Sequence, residues 1–493
     1  MKEKFKRLGA VSIVALAIAV IILMEIAVWK SFAVHYRCSF VSVGEDGSYE
    51  ETEELDPAVF LNGASDQYLS LGGETSPVQA IDGFGYRFLG WSDGTQETAR
   101  QDRTLSNVTY TAYFAYDFGD MPFLFSGESY VSFADGTRFD AAVEREEVKT
   151  GYPSYKYSYR ITFSKPTSLL DMSADAMWQL LPVSQDPTLM RDRFGMEMAR
   201  ELDFAFASEA RQVVFFHEGQ FIGVYLLCRA FPSDSEWLFE SGNAVRVGLE
   251  TLDNGVYGQQ VFSGAPYGLP DHSYKIAKSQ SYYLSQVVLP RVYNAIYLDG
   301  SYEAVSSALD VESAVSAYLM TELMKNSVAG EKGVLMRYAE GKVFFVSQTY
   351  YTLSAGLDRR FASAEGSVFD FTLQEEETEG EYNGFPQYLL YGLSRLDWFR
   401  SLAAERWKLF SESGAIERGI EGIRAAAAAD ERNLVSDKTK YPFFSSSNEV
   451  RVDEWPYYDP DIKENTYAEH VGFLCDWLTE RKLFLDVYFE GEL

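Results

Sequence analysis

The most restrictive feature of the sequence is a single long apolar run near its N-terminus. The run covers residues 8–24 without a charged side chain and continues at 26–29 after Glu25. Seventeen residues at about 1.5 Å each fall slightly short of a ~30 Å hydrocarbon core, and the continuation closes that gap. Four basic residues precede the run, which indicates a cytoplasmic N-terminus. The sequence therefore predicts a cytoplasmic tail and a transmembrane signal-anchor in residues 1–34.

A cleaved signal peptide is the alternative for this segment. Its apolar region typically has about 7–15 residues and ends in a small-x-small cleavage site. The run at 8–24 is longer, and no good site follows Met24. We therefore expect a retained single-pass anchor, with the bulk of the chain extracytoplasmic.

Composition restricts what the rest of the chain does. Hydrophobic residues make up 46% and aromatic residues 15% of the 493 positions, which favours a sheet-rich globular protein. The formal charge of −30 repels phosphate backbones and excludes nucleic acid as the main partner. Cys38, Cys228 and Cys475 lie far apart in the sequence and allow at most one disulfide. We expect Cys228 and Cys475 to be buried and unbridged.

Residues 36–117 are predicted to form short strands with glycine-containing turns. Residues 85–94 read GYRFLGWSDG and residues 107–114 read NVTYTAYF. Tyr86 and Trp91 can contribute to a small aromatic core, and the Asp-Gly pair suits a tight turn. These segments resemble the internalin-B-type (Listeria–Bacteroides) repeat, an extracellular β module. The resemblance implies a spacer, with ligand binding as the alternative.

The larger segment, residues 120–490, mixes strand and helix signals. Its front half predicts a helix over Pro187–Leu202 and a helix that begins after an Asp310 cap. Apolar strands separated by glycine-containing turns predict two hairpins, one of 211–216 with 220–227 and one of 334–338 with 342–346. From residue 385 onward helical patterns dominate. The segment is predicted to be an α+β domain with a helical C-terminal half.

Five stretches in this segment resemble, in order, the CotH-type (spore coat protein H) kinase family. They are Lys156–Phe163, Trp178–Leu181, Asp186–Leu202, Gly219–Leu227 and Trp477–Phe484. The resemblance covers residues 120–490, about three-quarters of the chain. It implies an atypical protein-kinase-like fold, preceded here by a transmembrane helix and a small all-β module.

The resemblance also implies candidate cofactor-binding residues. Lys156 stands where the family has its nucleotide-binding lysine. Asn326 matches an asparagine of the catalytic-loop equivalent, and Glu250 is similar to the acid that follows a Gly-Gly-Tyr strand. These three residues form the expected nucleotide site.

The acidic positions of the family pattern are replaced in this sequence. Arg229 stands in place of the hairpin acid, and the catalytic-loop acid is missing near Val328. Tyr350 and Thr352 occupy both metal-ligand positions. Mg²⁺ prefers anionic oxygen ligands, and phosphoryl transfer depends on the metal and on electrostatic stabilisation. We therefore assign no catalytic and no metal-binding residues.

The sequence as a whole predicts a membrane-anchored, extracytoplasmic pseudokinase of a bacterial surface. Its expected role is that of a binding or scaffold protein without a cofactor, whose partner is a surface or secreted protein or a cell-wall component. The membrane is contacted through the N-terminal helix. The alternative is an active, divergent CotH-type kinase that uses ATP and Mg²⁺ to phosphorylate surface or secreted proteins, so the enzyme question stays open at this point.

Overall fold

The structure is a computed structural model, and it divides into two compact units between residues 119 and 120. It describes residues 31–43, 48–81, 86–116, 120–146, 156–183, 186–204, 207–230, 245–251, 257–262, 283–326, 334–346, 351, 354–358, 361–369, 388–440 and 466–491. Each unit is considered by itself.

The first unit contains two sheets whose strands pair mostly in antiparallel fashion. The larger sheet has the order β2-β1-β8-β6, and β4 also pairs with β1. Its strands are β1 (Ser31–Val43), β2 (Tyr49–Leu55), β4 (Asp66–Ser70), β6 (Tyr86–Trp91) and β8 (Val108–Tyr116). The smaller sheet joins β3 (Leu61–Asn62), β5 (Val78–Ala80) and β7 (Ala99–Arg100), and helix α1 (Pro57–Phe60) precedes β3.

Aromatic side chains fill the interior of the first unit. Trp91 is 2% exposed and meets the rings of Tyr36 and Phe88 edge-on at 5.9 and 5.7 Å between centroids. The guanidinium of Arg100 lies 3.6 Å from the ring centroid of Tyr110 and 4.7 Å from that of Trp91. The expected aromatic core is confirmed, and a stacked arginine closes one side of it.

The second unit contains an eight-stranded sheet that is nearly closed on itself. Its order is β11-β10-β9-β15-β16-β14-β13-β12. The strands are β9 (Phe123–Gly127), β10 (Tyr130–Phe133), β11 (Arg138–Asp140), β12 (Ala142–Glu146), β13 (Ser158–Thr167), β14 (Asp175–Leu181), β15 (Ala210–His217) and β16 (Gln220–Arg229). Trp178, Tyr225 and Leu227 belong to the buried apolar cluster of this sheet.

This architecture contradicts the expected protein-kinase-like fold. The described residues form a mixed α/β protein rich in sheet, and they show no kinase-like fold. The reason lies in long-range strand pairing. Strand β9 pairs in parallel with β15, and the Val143 amide of β12 donates to the Glu128 carbonyl at 3.1 Å. These pairings curl the sheet toward a barrel.

A four-stranded sheet and the remaining helices complete the second unit. The sheet has the order β18-β17-β19-β20, with β17 (Val245–Thr251), β18 (Tyr257–Phe262), β19 (Val334–Ala339) and β20 (Lys342–Phe345). The helices are α2 (Arg191–Glu201), α3 (Leu289–Tyr293), α4 (Tyr302–Ala308), α5 (Val311–Met324), α6 (Tyr388–Ser394), α7 (Asp397–Glu412), α8 (Ala415–Lys440) and α9 (Tyr467–Glu490), with π-helical turns at Leu284–Val288 and Asn294–Asp299. The Asp310 side chain accepts the Ser313 amide, which confirms the expected helix cap.

The expected single-pass membrane protein is not supported by the helices of this structure. Within the described ranges, no helix is both long enough and apolar enough to cross a membrane. This finding contradicts the assignment to the cell membrane, which we withdraw. The apolar run at 8–29 itself lies outside the described residues.

Helix α2 is fixed at its N-terminus to the segment around residue 351. Asp186 forms an ion pair with Arg191 at 2.6 Å, and Arg191 Nε donates to the Ser354 carbonyl at 3.0 Å. The Tyr351 ring packs against Gly195, where an added Cβ would be 2.3 Å from a ring carbon. Only a residue without a side chain allows this close approach.

We expect Gly195→Ala to lower the free energy of unfolding by about 1–3 kcal/mol, because the methyl group would push the buried Tyr351 ring out of place. Denaturant titration measures this change. The matched control is Gly472→Ala in α9, where nothing lies within 4 Å of the new Cβ. That change should stabilise the protein by about 0.5–1 kcal/mol. Equal effects at both positions would contradict the packing argument.

Candidate functional site

Lys156 is held in the interior between the eight-stranded sheet and α8. Its side chain is fully buried, and its Nζ lies 2.5 Å from Asp437 Oδ1. The same Nζ donates to the Val224 carbonyl at 2.9 Å and to the Pro182 carbonyl at 3.3 Å. An ammonium group has three N–H donors, so these three acceptors use its full hydrogen-bonding capacity.

Gly223 leaves space for this ion pair. Its backbone has φ +146°, and an added Cβ would lie 2.5 Å from Asp437 Oδ1 and 2.9 Å from Lys156 Cε. The next residue along β16, Val224, donates its amide to Asp437 Oδ1 at 2.7 Å. Burial lowers the pKa of Lys156, and the charge of Asp437 opposes this effect. The pair therefore joins the sheet to the end of α8.

Asn326 follows the C-terminal end of α5 and is 2% exposed. Its neighbour Lys325 caps α5 in the left-handed conformation, with φ +45°. Lys325 Nζ donates to the Ser363 carbonyl at 2.9 Å and to the Glu365 carbonyl at 2.6 Å. Burial, together with the nearby positive charge of Arg481, lowers the pKa of Lys325 to about 7, and the charge of Glu322 opposes this shift. A neutral amine still has two N–H groups for these two carbonyls.

Beside Lys325, another buried ion pair joins α5 to α9. Arg481 donates to Glu322 Oε2 at 2.7 Å, and both side chains are fully buried. The Glu322 carboxylate also accepts the Ser367 hydroxyl at 2.5 Å and the Val368 amide at 3.0 Å. Arg481 reaches the Ala364 carbonyl at 2.8 Å. The cluster thus fixes the segment 361–369 in place.

Glu250 lies on a different sheet from Lys156. It is on β17, where its backbone pairs opposite Gly258 of β18. The three expected cofactor-binding residues therefore lie in three separate places: Lys156 just before β13, Asn326 just after α5, and Glu250 within β17. Their assignment as one nucleotide site stays a prediction.

The positions of the replaced acids are described only in part. Arg229 is the last residue of β16, and its backbone amide donates to the Ser208 hydroxyl oxygen at 2.9 Å. Val328, Tyr350 and Thr352 lie outside the described residues. Across the ranges that the structure does describe, no group of three or more His, Cys, Asp or Glu side chains is arranged to hold a metal ion.

Sequence reasoning missed the two buried acids that organise these clusters. Asp437 lies in the polar stretch VSDKTK, which carries no signal of burial. Glu322 had a recognisable signal, because it is the lone charge in the apolar stretch AVSAYLMTELM of α5. A single charge inside such a helix indicates a buried partner of opposite sign.

Comparison with known proteins adds no relative to this picture. No protein-family model matches the chain, and no curated protein matches it. The resemblance to CotH-type kinases and to the internalin-B-type repeat therefore stays a prediction from the sequence.

We expect Lys156→Met to lower the free energy of unfolding by about 3–5 kcal/mol, because it leaves the buried Asp437 charge uncompensated. Removing both charges with Lys156→Met and Asp437→Leu should cost less than the single change. Denaturant titration measures both variants. The control is Lys165→Met on β13, the strand that follows Lys156, where the side chain is exposed and the expected change is within about 0.5 kcal/mol. A Lys156→Met variant as stable as this control would contradict the structural role.

The lowered pKa of Lys325 predicts a specific dependence of the free energy of unfolding on pH. The unfolded amine keeps its proton up to about pH 10.5, whereas the folded amine keeps it only up to about pH 7. The unfolded state therefore binds more protons between these values, and stability from this group rises with pH. From pH 7 to pH 9, the free energy of unfolding of the wild type should rise by about 1–2 kcal/mol relative to Lys325→Met. Lys408→Met, an exposed lysine change, serves as the control. A pH-independent difference would show that Lys325 keeps its ordinary pKa.

Proposed function

We propose that this chain is a non-catalytic binding protein that recognises another polypeptide. The observation that carries the proposal is the complete burial of Lys156 against Asp437. A lysine that contacts a nucleotide must present its ammonium group to phosphate oxygens. Here the ammonium donors are directed at Asp437 and at two main-chain carbonyls.

The energetics of this ion pair also support a structural role. Releasing Lys156 toward a phosphate would leave the Asp437 carboxylate buried and without its cation, at a cost of several kcal/mol. Asp437 is itself 0% exposed. A nucleotide would have to supply that free energy before any net binding appeared.

The net charge of the chain also disfavours nucleotide binding. The formal charge is −30, which repels a nucleotide that carries several phosphate charges. Phosphoryl transfer depends on cations that neutralise the transferred group. A polyanionic protein instead attracts partners that carry positive charge, and this favours a binding role.

We expect no phosphate transfer by the wild-type chain and no nucleotide-induced stabilisation. The full chain is incubated with radiolabelled ATP and Mg²⁺ or Mn²⁺, and a thermal-shift titration with the same reagents runs in parallel. A nucleotide at one hundred times its Kd would stabilise the protein by about 2.7 kcal/mol, which is readily measured.

Two variants separate the proposal from its alternative, a divergent phosphotransferase. Lys165→Ala on β13 changes an exposed lysine, whereas Lys156→Arg keeps a positive charge in the ion pair. Phosphate incorporation that is retained in Lys165→Ala but abolished in a folded Lys156→Arg protein would identify a working active site. In that case the binding-protein proposal has to be withdrawn.

A further inference from the structure

Four aromatic and apolar side chains that are exposed or half-buried lie near the turn at Gly300. They are Tyr297, Leu298, Tyr302 and Trp398, which we call the aromatic patch. Tyr297, Leu298 and Tyr302 are 45%, 80% and 49% exposed, and Trp398 is half-buried. Large apolar side chains that lie together on a surface commonly mark an interaction site.

The aromatic patch is held rigidly by the elements below it. Trp398 Nε1 donates to the Gly300 carbonyl at 2.9 Å, and its ring meets the Tyr302 ring edge-on at 5.3 Å. The Tyr297 ring crosses Gly392 of α6, where an added Cβ would lie 2.6 Å from the ring. It also stacks on Tyr293 at 5.7 Å with 14° between the planes. Rings fixed in this way lose little conformational entropy when a partner binds.

Carboxylates surround the aromatic patch. Asp299 lies directly after Leu298 and accepts hydrogen bonds from the hydroxyl and the amide of Ser301. These bonds lower the pKa of Asp299, so this exposed group is anionic at neutral pH. Glu303 is exposed on the next turn, and the Asp397 side chain is 95% exposed beside Trp398.

The nearby arginines make hydrogen bonds within this chain. Arg395 donates to the Phe369 carbonyl at 3.0 Å, and Arg400 donates to the Ser394 carbonyl at 3.2 Å. Arg400 also pairs with Asp397 at 2.7 Å. Arg400 offsets Asp397 and Arg395 keeps one positive charge, so Asp299 and Glu303 leave a net negative charge around the rings.

We infer that the aromatic patch binds a lysine- and arginine-rich segment of a partner polypeptide. The ammonium and guanidinium groups would lie over the tyrosine rings and near the two carboxylates, and their aliphatic stems would contact Leu298. A second copy of this chain is a poor occupant, because two molecules of charge −30 repel each other. The inference rests on the proposed function and adds the chemical class of the partner.

The test uses the full chain and a fluorescein-labelled peptide of twelve alternating lysines and leucines, followed by fluorescence anisotropy at physiological salt. Leu298→Ser combined with Tyr302→Ala should weaken binding about tenfold, as expected for truncation of exposed anchors. The matched control is Leu409→Ser in α7, at a residue that is 66% exposed. Its affinity should stay within about twofold of the wild type.

A charge-reversal pair tests the electrostatic part of the inference. Glu303→Lys should weaken binding about three- to tenfold, whereas Glu412→Lys, an equal charge change at an exposed position of α7, should have less than about a twofold effect. Equal weakening by both variants would mean that net charge alone attracts the peptide. Equal binding of a serine–leucine peptide, or self-association lost in Leu298→Ser, would assign the patch to another occupant. Each of these results overturns the inference.

The two proposals fail in different experiments. Phosphate transfer from ATP would overturn the binding-protein proposal whatever the peptide titration gives. Peptide binding that is insensitive to Leu298→Ser and Tyr302→Ala, together with a negative transfer assay, would overturn only the assignment of the aromatic patch.

Discussion

The buried ion pair of Glu322 and Arg481 is the interaction on which much of the second unit depends. Both side chains are fully buried, so neither charge is solvated by water and each requires the other. The remaining oxygens and N–H groups bind Ser367, Val368 and carbonyls of the segment 361–369. One ion pair therefore fixes two helices and an irregular segment together. Lys325 extends the same cluster through two further carbonyls.

The interior of the second unit uses ionic groups chiefly for architecture. Arg191 with Asp186 fixes the start of α2, and Lys156 with Asp437 joins the sheet to α8. Buried pairs of this kind add little net stability compared with apolar packing, but breaking one is costly. They specify which elements lie next to each other. Under the proposed binding function, a partner is recognised by surface features, among which the rings around Gly300 are distinguished by their exposure and fixed orientation.

Local sequence patterns predicted local structure well. The hairpins of β15 with β16 and of β19 with β20 were confirmed, as was the Asp310 cap, because turns and caps depend on neighbouring residues. The prediction of a kinase-like fold was wrong. The observed sheet depends on pairings between distant segments, such as β9 with β15, which leave no local signal in the sequence. The surroundings of the candidate site were not predictable for the same reason. The sequence singles out Lys156, but its partner Asp437 lies in an ordinary polar stretch.

The separation of Lys156 and Asp437 along the chain has a consequence for biosynthesis. The two residues are roughly 280 positions apart. Lys156 is buried against a sheet whose strands are all translated long before α8, which carries Asp437. A ribosome-bound fragment that ends before residue 437 would have to bury an ammonium group without its counterion. Strand pairing on the nascent chain is therefore expected to remain loose until the ribosome has almost finished. Folding of this unit should follow release of the chain, with slow kinetics set by distant contacts.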